Sequence, residues 1–174
     1  MNIPNRLTII RIALIPVFLA VLYIGFEGSN YAAMGIFTIA AITDFADGFI
    51  ARRRNQVTDF GKFMDPLADK ILVVSAMLWF VEQGVMPGWV ALLVIIREFL
   101  VTALRLVAID NGRVIAAGIL GKVKTVVTLV CLIAMFLPLC NWMIYTCLAA
   151  IAITTVVSGV EYFIKNKDIL KLGK

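Results

Sequence analysis

The sequence contains no histidine, which sets aside a histidine-rich zinc or iron centre. Cysteine is scarce: Cys131, Cys140 and Cys147 lie in or beside apolar runs at no metal-ligand spacing. They read as packing residues, and a disulfide framework is not expected. There is no low-complexity segment and no internal repeat. Ten-residue segments of alternating polarity are absent too, which argues against a membrane β-barrel. No cleavable leader is expected, because the first apolar run contains Arg11 and Pro16 and continues to spanning length. At 174 residues the chain has room for one compact domain, 1–174, and none for a second.

What the sequence has in excess is apolar residues, 62% of the chain with mean hydropathy +1.00; soluble domains are about half apolar. The excess falls in six runs, residues 7–26, 31–51, 63–81, 89–109, 116–137 and 142–164. Each is about 20 residues long, enough to cross about 30 Å of hydrocarbon as a helix. Helices also satisfy their own backbone polar groups, as lipid demands. The expected fold is an all-α integral membrane protein, a bundle of six transmembrane helices.

Charge orients the bundle. Apart from Arg97, the 16 lysines and arginines lie at the N-terminus, in or beside the second and fourth connections, or in the C-terminal tail. The other connections read EGSN, EQGVMPG and PLCN, with no basic residue. Positive residues mark the cytoplasmic side, so both termini are expected there. The +5 net charge is thus a one-sided surface suited to anionic lipid head groups. Nucleic-acid binding is a poor reading, because the basic residues border spans and form no module of their own.

Against this apolar background, four carboxylates stand out. Asp44 and Asp47 lie near the cytoplasmic end of the second run, sharing a helical face with Gly48 and Ala51. Gly61, Asp65 and Asp69 form a stripe at i, i+4, i+8 on the start of the third. The basic turn between makes the two helices antiparallel, with the four carboxylates at matched depths, roughly 6–12 Å from the helix ends. Unaided, burial and mutual repulsion would neutralise them. Two Mg²⁺ or Mn²⁺ ions would cancel four negative charges, and hard cations prefer carboxylate oxygen. Such dinuclear sites serve phosphoryl chemistry. Gly48 and Gly61 would let a ligand approach the backbone closely, although small residues also permit tight helix packing. Salt bridges to Arg52, Arg53, Lys62 and Lys70 could account for one or two of the aspartates, but hardly for two facing stripes.

As a pattern the stretch is D-x2-D-G-x2-A-R-x8-G-x3-D-x3-D, from Asp44 to Asp69. It resembles the signature of the CDP-alcohol phosphotransferase family without departure. The resemblance implies attack of an acceptor alcohol on the β-phosphorus of a CDP-linked donor, with CMP leaving. It implies metal ligation by Asp44, Asp47, Asp65 and Asp69, with Asp69 also the general base. Asp44 would also border the CDP, which Gly48, Arg52 and Gly61 would hold, with Thr58 at the family's hydroxyl position. Ala51 would leave room for the nucleotide. The family commonly forms dimers, so a homodimer is a further expectation.

Three more stretches narrow the resemblance. NIPNRLTIIRIALIPVF at the N-terminus, IIREFLVTALRL and GILGKVKT look like bacterial synthases of phosphatidylglycerophosphate. This implies CDP-diacylglycerol as donor, glycerol 3-phosphate as acceptor, and the bacterial inner (cytoplasmic) membrane with the active site facing the cytoplasm. Asn5 and Thr8 would lie near the donor's nucleotide, or Asn5 would simply cap its helix. Arg97 is deep in the fourth run, where an unpaired charge costs several kcal/mol. Glu98 is adjacent but off its face, so pairing would call for another helix. Lys122 and Lys124 point to nearly opposite sides. With Arg105 and Arg113 these residues could form a cationic pocket for the acceptor phosphate, or touch lipid head groups by snorkelling. Sister enzymes using phosphatidylglycerol, inositol phosphate or serine remain open, and so does a divalent-cation transporter. A transporter would expect charges along the whole bilayer, whereas here they gather at one end.

Overall fold

A computed structural model describes residues 3–54, 59–110, 115 and 118–168, with side chains described at 10, 12–43, 70–109, 115 and 118–168. The described residues form six helices and no strand: α1 (Ile3–Ile24), α2 (Ser29–Arg54), α3 (Asp59–Glu82), α4 (Gly88–Asp110), α5 (Ile119–Met135) and α6 (Asn141–Lys165). Each apolar run of the sequence becomes one helix, to within a few residues at the ends. The fifth departs from its run at both ends. Gly118 stays outside the helix and takes the Lys122 amide on its carbonyl, at 3.3 Å. At the far end the amides of Phe136 and Leu137 close tight turns on Ile133 and Ala134. Pro138, which has no N–H to continue a helix, follows.

The turn after α3 shows how local chemistry sets a boundary. The Gly84 amide bonds to the Val81 carbonyl and the Val85 amide to that of Phe80, at 3.0 and 2.9 Å. Gly84 has φ +70°, a conformation open to glycine because it has no Cβ. This is a Schellman motif, and it satisfies carbonyls that the helix end would leave bare. Pro87 then leads directly into α4.

The chain divides into two compact units. The first is Met1–Trp79 with Ile133–Pro138, and the second is Phe80–Leu132 with Leu139–Lys174. In the first, α1 packs along α2. Ile15, Phe18 and Leu22 of α1 and Ala33, Phe37 and Ala40 of α2 are buried, at the spacing of one helical face. The rings of Phe18, Phe37 and Phe136 meet at centroid distances of 5.9, 6.0 and 6.1 Å, tilted or edge-on as aromatic quadrupoles prefer.

In the second unit α4 packs on α6. Val90, Val94, Val101, Leu104 and Ala108 form the buried stripe of α4, and Arg97 interrupts that stripe. Leu148, Ile151, Thr155, Ser158, Gly159 and Tyr162 form the buried face of α6. From α5, Lys124 and Thr128 are buried. The outward faces of the same helices carry Phe99, Leu106, Ile153 and Val160, with Phe99 72% exposed. Polarity is thus inverted, with charges inside and large apolar groups outside.

One helix among the described residues, α6, is long and apolar enough to cross a membrane, with mean hydropathy 2.0 over 18 residues. α4 has comparable length but contains Arg97, Glu98 and Arg105, and α5 has 17 residues.

Candidate functional site

The aspartates sit on unbroken helix. Asp44, Asp47, Gly48, Ala51 and Arg52 all belong to α2, and Gly61, Asp65 and Asp69 to α3. Spacings of three and four residues therefore put each aspartate pair on one helical face. Counted from the ends at Arg54 and Asp59, Asp47 and Asp65 lie about 10 Å in and Asp44 and Asp69 about 15 Å in. That is slightly deeper than expected, because the helices extend beyond the apolar runs. The side chains of these residues are outside the described set, as are those of Asn5 and Thr8. Thr58 and Arg113 lie outside the described residues altogether. α1 begins at Ile3, so Asn5 is within the helix and not its cap.

Of the second unit's basic residues, Arg97, Arg105, Lys122 and Lys124 are described with their side chains. Arg97 Nη1 donates to Glu98 Oε1 at 2.9 Å, and Lys124 Nζ donates to the same oxygen at 2.9 Å. The three side chains are 11%, 24% and 5% exposed for Arg97, Glu98 and Lys124. Glu98 therefore pairs with Arg97 directly, although neighbouring helix positions point about 100° apart. The guanidinium arm is long enough to turn back. A second helix is involved as well, but Lys124 of α5 supplies it and serves Glu98.

Arg97 is held against backbone. A Cβ placed on Gly121 would come 3.4 Å from its Nη2, and one on Gly159 would come 3.4 Å from its Cγ. Its Nε is buried without a hydrogen-bond partner. Arg97 is far from the end of α4 in sequence, yet it is level with the first turn of α5. Gly159, its other neighbour, is only six residues from the end of α6, about 9 Å by helical rise.

Lys122 is exposed where Lys124 is buried, as their opposite directions predict. Arg105 stands apart from the Glu98 group. Its Nε donates to the Tyr162 hydroxyl at 3.3 Å, and its guanidinium lies 5.7 Å from the centroid of that ring. Sequence reasoning did not assign Glu98 or Tyr162 to the site. For Glu98 the signal was available: an acid in an apolar run calls for a partner. Tyr162 carries no such mark.

Residues 1–158 match the CDP-alcohol phosphatidyltransferase family. The chain belongs to that family. Among its relatives, the CDP-diacylglycerol–glycerol-3-phosphate 3-phosphatidyltransferase of Bacillus subtilis (strain 168) is 40% identical over 188 residues, covering 98% of this chain and 97% of that protein. The Escherichia coli (strain K12) protein of the same name is 45% identical over 136 residues, 75% of this chain and 74% of that one. The probable phosphatidylglycerophosphate synthase of Mycobacterium tuberculosis (strain H37Rv) is 40% identical over 167 residues, 92% of this chain and 79% of that one. The stretch matching the CDP-alcohol phosphatidyltransferase family contains all four aspartates, Arg97, Glu98, Arg105 and Lys124; Gly159 and Tyr162 lie just beyond it.

Proposed function

We infer that this enzyme transfers the phosphatidyl group of CDP-diacylglycerol to glycerol 3-phosphate, giving phosphatidylglycerophosphate and CMP. The end-to-end similarity to the B. subtilis phosphatidyltransferase carries this conclusion. The complete aspartate motif on α2 and α3 supports it.

The chemistry assigns roles. Asp44, Asp47, Asp65 and Asp69 offer only carboxylate oxygen on two helical faces, a donor set suited to two hard divalent cations, Mg²⁺ or Mn²⁺. Bound there, the ions would offset charge on the diphosphate and the departing CMP. Asp69 takes the proton of the acceptor hydroxyl as its oxygen attacks the β-phosphorus and the bond to CMP breaks. Gly48 and Gly61 leave backbone open to the diphosphate, with Asn5, Thr8, Asp44, Arg52 and Thr58 around the CDP. Arg97, Arg105, Arg113, Lys122 and Lys124 are the cations for the acceptor phosphate.

The same proposal takes all six helices as spans, with both termini and the active site on the cytoplasmic face of the inner membrane, and the protein as a homodimer. The inverted polarity of the second unit supports the bilayer setting. So does the placement of aromatics. Tyr23, Tyr31, Trp89, Trp142 and Tyr145 are exposed at the connections that lack basic residues, where an outer interfacial belt belongs.

CMP release by the purified protein in detergent tests the proposal, with CDP-diacylglycerol, Mg²⁺ and one acceptor at a time. Release with glycerol 3-phosphate, lost on adding EDTA, is the expected outcome. Release only with phosphatidylglycerol, inositol phosphate or serine would keep the aspartate chemistry and overturn the acceptor. No release with any of them would bring cation transport forward.

A further inference from the structure

We propose that Glu98 is a positioning residue for the acceptor: its carboxylate fixes Arg97 of α4 and Lys124 of α5 as one cationic pair and thereby sets the affinity for the acceptor phosphate. This rests on assigning those two cations to glycerol 3-phosphate, as above.

Three observations carry it. A single oxygen, Glu98 Oε1, accepts from Arg97 Nη1 and from Lys124 Nζ, at 2.9 Å each. The two cationic nitrogens, from different helices, are therefore within about 6 Å of each other. Without the carboxylate between them the two cations would repel more strongly. With it, the trio keeps one net positive charge.

The second observation is which edge of Arg97 the carboxylate uses. Glu98 takes Nη1, leaving the Nε–Nη2 edge, which pairs with two oxygens of one phosphate. Nε is buried and has no hydrogen-bond partner. An orphaned buried donor is a cost to the fold that an incoming oxyanion would remove.

The third is the surroundings of that edge. Nη2 faces Gly121 and the arginine stem crosses Gly159, both close enough that a Cβ would sit at 3.4 Å. The missing side chains at Gly121 and Gly159 thus leave room for the arginine between α5 and α6, and Glu98 binds one nitrogen of its guanidinium. A counter-ion serving the fold alone would have no need to leave Nε without a partner.

The test separates positioning from fold stability. Glu98→Gln keeps the length and one acceptor oxygen but removes the charge, while Glu98→Asp keeps the charge and shortens the reach by one carbon. CMP release by the full-length protein is measured against each substrate in turn. For both variants KM for glycerol 3-phosphate rises about tenfold, the size expected from losing a charged hydrogen bond. KM for CDP-diacylglycerol and kcat stay within about twofold. Added to Lys124→Gln, the Glu98→Gln change raises KM by less than about twofold more, because both act through one contact.

An unchanged KM for glycerol 3-phosphate in an active protein would sink the inference alone. So would a joint fall in kcat, both affinities and the thermal midpoint, the mark of a purely structural ion pair. If Glu98→Gln does not purify folded, Glu98→Asp decides on the same readings. A wild-type protein without glycerol 3-phosphate-dependent CMP release would overturn the acceptor assignment itself and this inference with it.

Discussion

Phe18, Phe37 and Phe136 fill the interior of the first unit with ring edges and faces, whereas the interior of the second holds Arg97, Glu98 and Lys124 with the buried hydroxyls of Thr128, Thr155 and Ser158. In lipid these two interiors obey different rules. A phenylalanine is as well solvated by acyl chains as by other rings, so only shape and dispersion favour its place inside. A charge has no such freedom: it must turn inward and find a partner. Apolar contacts in the first unit hold helices together, while in the proposed bilayer charged contacts in the second would decide which face of each helix can meet lipid.

Three substitutions probe that contrast, and the largest effect is chemical. Asp69→Asn keeps the size of the side chain and removes the proposed base and a metal ligand. CMP release should fall about 1,000-fold or more, with the thermal midpoint little changed. A midpoint that collapses with the activity would make the aspartates part of the packing.

Phe18→Ala asks the complementary question of the rings. Phe18 is fully buried, so truncation should cost about 3–5 kcal/mol by leaving a cavity, read from denaturant unfolding in detergent. Turnover per folded molecule should hold. A loss below about 1 kcal/mol would show that acyl chains or detergent fill the gap, and that the contrast between interiors is weaker than drawn.

The smallest effect belongs to Tyr162→Phe. It removes the hydroxyl that accepts from Arg105 at 3.3 Å and keeps the ring beneath the guanidinium. A stability loss of about 0.5–1.5 kcal/mol is expected, measured in the same way. No change would assign the contact to the ring face alone.

The same contrast explains what the sequence disclosed. The six apolar runs predict six helices because hydropathy and length need no knowledge of facing. The aspartates could be grouped by helical face, and Lys122 and Lys124 set on opposite sides, because spacing alone gives those directions. Phe18 and Phe37 could not, since the runs around them are apolar on every side and show no helical period to read. The Arg97–Glu98 contact was missed because backbone direction alone does not give the reach of a guanidinium.

In the proposed bilayer setting, with α5 as a span, the length of α5 has a consequence for the membrane itself. Its 17 residues rise about 25 Å, less than a hydrocarbon core of about 30 Å. A bilayer meets such hydrophobic mismatch by thinning locally, while flanking charged side chains stretch toward the head groups. Lys122, exposed in the first turn of α5, is placed to do this. Where it does, lipid head groups are drawn below their usual level around this helix, and bilayer thickness becomes a variable in how readily a diacyl substrate presents its polar end.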